Sequence, residues 1–116
     1  MTVIIALGSN WQQAAHIEWA TQRLTGLLDV LRLSRKLWTE DIHVTGIFYM
    51  NRLAAGTTTL TANELTTALK AIETEARRSP EHITIDLDLM QYGDNRYHFR
   101  DWPRPYIQKL LPDIQS

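Results

Sequence analysis

Ile83-Thr84-Ile85-Asp86-Leu87-Asp88-Leu89-Met90 repeats with a period of two. That is the period of a β-strand, whose successive side chains point to opposite faces. Ile83, Ile85, Leu87 and Leu89 fall together and read as a core face. Thr84, Asp86, Asp88 and Met90 fall on the other, where the two carboxylates stand roughly 6.5–7 Å apart at about 3.3 Å per residue. Like charges so placed repel each other. Two readings follow. A divalent cation removes the repulsion, and hard cations such as Mg²⁺ are commonly held by one or two carboxylates together with substrate phosphates. Alternatively, the face is solvated near a sheet edge. An Asp-x-Asp pair on a strand does not by itself decide between them.

Upstream of this strand, Thr61-Ala62-Asn63-Glu64 has the form of a capping box. Leu65, Leu69, Ile72 and Ala76 then predict a helix over about 62–77. Arg77 and Arg78 fall in its last turn, where cations suit the helix dipole, and Ser79-Pro80 ends it. Phe48 to Thr59 predicts a strand antiparallel to one over about 30–39, in which Leu31, Leu33 and Leu37 share a face interrupted by Arg35. Glu40 to Ile47, between them, lacks periodicity and contains Gly46, so it reads as a loop longer than a tight hairpin turn. Nearer the start, Thr2 to Leu7 reads as a buried strand. Ser9 or Asn10 is placed to cap a helix over about 11–28, carried by Ile17, Ala20, Leu24, Leu27, Leu28 and Leu31. Tyr92 to Arg104 is polar and aromatic without a clear period, and Tyr106 to Leu111 reads as a short strand or turn before Pro112. The order is β-α-β-β-α-β. An α+β, ferredoxin-like fold satisfies it, with a four-stranded antiparallel sheet and two helices on one face. That fold hosts many unrelated functions, so chemistry has to be argued from residues.

A chain of 116 residues predicts one domain, spanning 1–116. With 44% hydrophobic residues it can build a core. Twelve Lys plus Arg against thirteen Asp plus Glu leave a net charge of −1, which favours neither nucleic acid nor a membrane surface as partner. There is no cysteine, hence no disulfide framework and no thiolate metal site. No apolar run approaches the ~18 residues of a membrane span, and the first residues lack the charged segment of a signal peptide. A cytoplasmic location is the expectation.

Four tryptophans and four tyrosines are available to stack on a flat heterocycle. Trp38, Tyr49, Trp102 and Tyr106 lie near expected loop ends, while the alternative is that such rings pad a small core. Asn51 shares a strand face with Tyr49, and an amide beside an aromatic can read a heterocycle edge as both donor and acceptor. Glu73 borders the apolar stripe of the second helix, where a carboxylate can meet a ribose or a base edge or simply face water. Arg77 and Arg78 are placed to meet phosphates or to complete the helix end. His16, His43 and His82 show no metal-ligand spacing, and there is no Gly-rich phosphate loop or nucleophile elbow.

Taken together, Ala6-Leu7-Gly8-Ser9-Asn10, Phe48-Tyr49-Met50-Asn51, the stretch from Leu60 to Glu73 and Thr84 to Gly93 resemble the 6-hydroxymethyl-7,8-dihydropterin pyrophosphokinase family of folate biosynthesis. The order and approximate spacing agree from about residue 3 to 111. The resemblance implies a ferredoxin-like fold and transfer of a diphosphate from ATP to the 6-hydroxymethyl group of a dihydropterin, releasing AMP. By position, Asp86 and Asp88 match carboxylates that hold two Mg²⁺ ions, with Arg78 a phosphate-contacting arginine; these three are the implied catalytic residues. Thr39, Tyr49, Asn51 and Tyr106 match pterin-binding positions, the two tyrosines sandwiching the ring. Glu73, His98 and Arg104 match nucleotide-binding positions, the last two within a tail motif read here as His98-Phe99-Arg100-Asp101-Trp102-Pro103-Arg104-Pro105-Tyr106. The implied partners are ATP, with Mg²⁺, and the pterin.

The chain departs from the family in two places. Where the family carries a longer basic loop with a tryptophan, this chain has only Ser79-Pro80-Glu81-His82-Ile83-Thr84-Ile85. The loop after the second strand reads Glu40-Asp41-Ile42-His43-Val44-Thr45-Gly46, without the family's Pro-Val-Gly or Pro-Leu-Gly. The basic loop is the part expected to close over ATP, so its loss also admits a non-catalytic pterin- or nucleotide-binding module, or a purely structural domain.

Overall fold

The computed structural model describes residues 1–41, 43, 46–76 and 82–115. Arg77, Arg78, Ser79 and Pro80, on which the expected end of the second helix rests, lie outside them. The elements run β1 (Thr2–Ser9), α1 (Gln13–Leu24), β2 (Asp29–Leu33), β3 (Leu37–Glu40), β4 (Phe48–Thr57), α2 (Ala62–Glu75), β5 (Asp86–Tyr92), β6 (Asn95–Arg96) and α3 (Pro105–Ile114). This is a mixed α+β architecture with one antiparallel sheet. The sheet has six strands in the order β2-β4-β1-β5-β6, with β3 also pairing with β4, and not the four expected.

The strand expected over 30–39 is two strands, and the reason lies in the register. Leu33 pairs with Ala54 but Leu37 with Asn51, so one residue is extra between them. Buried Ser34 fills the gap: its amide donates to the Leu53 carbonyl (2.9 Å), and its hydroxyl accepts from the Leu53 amide (2.8 Å). A one-residue slip exchanges faces. Leu31 and Leu37 therefore do not share a face as expected: Leu31 packs into one core and Leu37 into the other.

Those two cores cover the two sides of the sheet. On one side, Ile17, Ala20 and Leu24 of α1 and Leu65, Leu69 and Ile72 of α2 pack on Val3, Ile5, Leu7, Ile85, Leu87 and Leu89. Ile85, Leu87 and Leu89 are thus the core face that their alternation predicts, although β5 begins only at Asp86. The capping box of α2 is present, with Glu64 N donating to Thr61 Oγ1 (3.1 Å) and Thr61 N to Glu64 Oε1 (2.9 Å). The caps expected for α1 are not. That helix starts later, after left-handed Gln12, and Asn10 instead grips Ile83 through Asn10 N to Ile83 O (3.0 Å) and Ile83 N to Asn10 Oδ1 (2.7 Å).

On the other side lies α3, where a strand or turn over Tyr106–Leu111 was expected. Pro105 opens the helix at a position that needs no amide donor. Ile107, Leu110 and Ile114 recur at helical spacing and bury on Ala6, Leu53, Ala55, Met90 and Trp102. Pro112 sits inside the helix near its end and does not terminate it. The two helices expected on one face are therefore three, on both. No helix among the described residues is long and apolar enough to cross a membrane.

Candidate functional site

Strand pairing assembles the site on the α3 side of the sheet. Asn51 of β4 pairs with Gly8 of β1, and Gly8 pairs with Asp86 of β5. One step inward, Leu53 pairs with Ala6, and Ala6 with Asp88. Directly paired residues share a face. Asn51 therefore looks toward the two carboxylates across two strand spacings, roughly 10 Å at about 4.8 Å each. The strand between contributes only the small side of Gly8 and Ala6, so the floor is open. A Cβ on Gly8 would lie 3.5 Å from Asn51 Oδ1 and 3.9 Å from Tyr49 Cδ2. The register of β3, with Thr39 opposite Tyr49 and Leu37 opposite Asn51, adds Thr39 to the same face.

Above this floor is a cavity of about 580 Å³. It is lined by Thr39, Tyr49, Asn51, Asp86, Asp88, Arg104 and Tyr106, all expected site residues, and also by Gly8, Glu40, Asp41, His43 and Asp101. Asn51 is 6% exposed, and its amide donates to Thr39 Oγ1 (2.7 Å) and more weakly to the Leu37 carbonyl (3.4 Å). These bonds fix the amide so that its oxygen lies over Gly8. Tyr49 enters from β4 and Tyr106 from the first turn of α3. Burial pushes the Tyr106 phenol up to about 12, with the Asp101 carboxylate adding to the rise and the Arg104 guanidinium opposing it.

A second cavity, of about 510 Å³, opens along the edge of β5 that lies before the β6 pairing. Asp86 and Asp88 line it too, so the carboxylate pair stands in the wall between the two cavities. Its other side is one face of α2, carrying Asn63, Thr66, Lys70 and Glu73, with Tyr97 and His98 from the tail. Glu73 reaches the strand itself, its Oε2 accepting from the Leu87 amide (2.8 Å). His98 adopts a left-handed backbone and brings Nε2 to 3.9 Å from Asp88 Oδ1.

The expected nucleotide residues thus divide. Glu73 and His98 meet in the second cavity, while Arg104 lines the first and is bound to Asp101 at 3.1 Å. Arg78 lies outside the described residues. Of the rings expected near loop ends, Tyr49 and Tyr106 line the first cavity; Trp38 is exposed on β3 and Trp102 is buried under α3. Trp11 stacks with the imidazoles of both His16 and His82.

Sequence reading missed several lining residues. Lys70 was findable, because Asn63, Thr66, Lys70 and Glu73 follow helical spacing along one polar stripe of α2. Glu40 ends β3, opposite Phe48, rather than opening the loop as expected, and Asp41 and His43 follow it; all three fall in the stretch whose sequence lacks periodicity, where no pattern points inward. Asp101 joins Asp88 and His98 in a group whose ligand atoms all lie within 4.8 Å of one another.

Asp86 and Asp88 offer hard oxygen donors side by side on a half-buried strand face, and that donor set fits Mg²⁺. The arrangement is one of a heterocycle-sized cavity with an amide and two phenols, a second cavity with a cation and an acid, and carboxylates shared by both. A comparison with curated proteins returns no significant match. The family described as 7,8-dihydro-6-hydroxymethylpterin-pyrophosphokinase (HPPK), however, matches residues 4–115, essentially the whole length, and the chain belongs to that family.

Proposed function

We infer that this chain, acting as one catalytic unit, transfers a diphosphate from MgATP to the hydroxymethyl group of a dihydropterin and releases AMP. The observation that carries this reading is the position of Asp86 and Asp88 in the wall common to two cavities. A reaction joining two substrates needs such a shared boundary, because both must reach the same point in line.

The first cavity receives the pterin. Its ring lies between Tyr49 and Tyr106, and Asn51, oriented by Thr39, reads the heterocycle edge. Tyr106 keeps its proton at any ordinary pH, so a neutral ring faces the neutral heterocycle. The roughly 10 Å from Asn51 to the carboxylates supports a pose in which the hydroxymethyl group lies near Asp86 and Asp88. The second cavity receives the nucleotide, with Lys70 and His98 toward phosphate and Glu73 toward the nucleoside. Arg104, reaching from the pterin side, supplies positive charge at the boundary.

The hydroxymethyl oxygen attacks the β-phosphorus of ATP. The bond from that phosphorus to the α,β-bridging oxygen breaks, AMP leaves with that oxygen, and the hydroxyl proton passes to water. No covalent enzyme intermediate is needed. Mg²⁺ held by Asp86 and Asp88 would supply charge neutralisation for the diphosphate. The chain's own contribution is positioning and the exclusion of water from a half-buried strand face. The family resemblance adds Arg78 as a further phosphate contact.

AMP formation from MgATP, with and without 6-hydroxymethyl-7,8-dihydropterin, tests the reading. Pterin-dependent AMP release is the expected result. Binding of both ligands without AMP release would mean that the pockets are kept and the transfer is lost.

A further inference from the structure

A third cavity, of about 440 Å³, lies on the same side of the sheet as the pterin cavity but toward the other end of β1. Thr2 and Ile4 line it, whereas the pterin cavity takes Ala6 and Gly8. From Ile4 to Gly8 is roughly 13 Å of strand at about 3.3 Å per residue. The sheet register explains what converges there. Arg32 pairs with Ala55, Ala55 with Ile4, and Ile4 with Gln91, a single row across β2, β4, β1 and β5. The far end of α3 comes down over this row and stops, so that Ile114 and Gln115 close one wall.

Arg32 is the one charged residue among the described residues lining this cavity. Its Nε is buried and has no hydrogen-bond partner. A buried donor left unmet is destabilising, and more so when the group is charged. Proteins seldom leave such a donor without an acceptor, and the neighbouring polar groups do not provide one. Gln91 is already engaged, donating to the Gly93 carbonyl (2.9 Å) and accepting from Arg96 (3.3 Å). The negative pole of the α3 C-terminus explains why a cation is tolerated beside it, but not the unmet Nε–H.

We propose that this cavity binds a small monocarboxylate with a short apolar body. The carboxylate accepts from the Arg32 guanidinium, whose planar fork matches its two oxygens. The body lies on Ile4, Ala55 and Ile114. A phosphate dianion fits less well, because the negative end of α3 repels its second charge. This site is independent of the diphosphate-transfer reading, since it shares no lining residue with either of the other two cavities.

Nuclear magnetic resonance of the whole chain labelled with ¹⁵N tests this directly, with butyrate as one probe and inorganic phosphate as the other. The expected result is a saturable shift of the Arg32 Nε–H and of the Gln115 amide with butyrate, and a weaker response to phosphate. Arg32→Met should weaken butyrate binding by about tenfold or more, read at the Gln115 amide. Should that variant fold poorly, Arg32→Lys keeps the charge without the fork and should also weaken binding. Absence of a saturable shift, equal or tighter binding of phosphate, or full affinity in either variant overturns the proposal.

Discussion

At the scale of single residues, the chemistry rests on side chains whose company is decided by strand pairing. Asp86→Asn and Asp88→Asn each remove a hard oxygen donor while keeping shape. Each should lower pterin-dependent AMP formation by about a hundredfold or more, with an unchanged circular dichroism spectrum. Unchanged turnover would remove the carboxylates from the mechanism. Tyr106 gives a prediction independent of activity. Its phenol is raised from 10.0 to about 12 chiefly by burial. The folded state therefore holds this proton more tightly than the unfolded chain. The stabilisation is complete below pH 10 and is lost as the pH rises toward 12. The difference in absorbance at 295 nm between the wild type and Tyr106→Phe should titrate near pH 12, and a midpoint near 10 would show that the ring is not buried.

Residues on strands were the legible ones. Alternation alone put Asp86 with Asp88 and Tyr49 with Asn51, because a period of two leaves no freedom about faces. Asp101 and the bond from Glu73 to the Leu87 amide were not legible: both depend on where a tail and a helix come to rest. The small residues of Ala6-Leu7-Gly8-Ser9-Asn10 stood out as a motif, yet only pairing shows why they are small. Ala6 and Gly8 are the floor between the amide and the acids.

Among the elements, α3 is the one that sequence order hid. Pro112 reads as a terminator, and Tyr106 to Leu111 is too short to declare a period without the residues on either side. Its apolar stripe becomes visible only when Ile114, beyond the proline, is counted with Ile107 and Leu110. Leu110 is fully buried against the second face of the sheet. Leu110→Ala should cost about 2–5 kcal/mol in urea denaturation, and a loss below about 1 kcal/mol would mean that α3 is not part of the cooperative fold. Because Tyr106 sits in the first turn of this helix, the same variant should weaken pterin binding before it unfolds the chain. The slip at Ser34 was equally hidden. In the sequence Arg35 reads as the interruption of one strand, whereas the extra residue sits at Ser34 and divides two.

For the molecule as a whole, net charge says little and its distribution says more. The chain carries −1 in total, yet Glu40, Asp41, Asp86, Asp88 and Asp101 line the first cavity, where His43 and Arg104 are the only basic side chains among the described residues. A nucleotide brought to the shared wall meets that negative field, so its binding should depend on the divalent ion far more than pterin binding does. Calorimetry with excess chelator should show nucleotide affinity reduced by about tenfold or more, with pterin affinity within about twofold of its value in Mg²⁺. Equal losses for both ligands would place the ion outside the boundary between them.

The central strand is also the first of these elements to be synthesised. Val3 pairs on one side with Gly56 and on the other with Tyr92, so β1 leaves the ribosome long before its second neighbour exists. At about 5–20 residues per second the interval is roughly 4–18 s, during which an apolar strand has an open edge. The two acids arrive with the strand that ends this wait, and Asp86 reaches Gly8 only as the sheet closes. On the proposed function, the sites for metal and substrate are therefore completed only once the edge most prone to aggregate has been sealed.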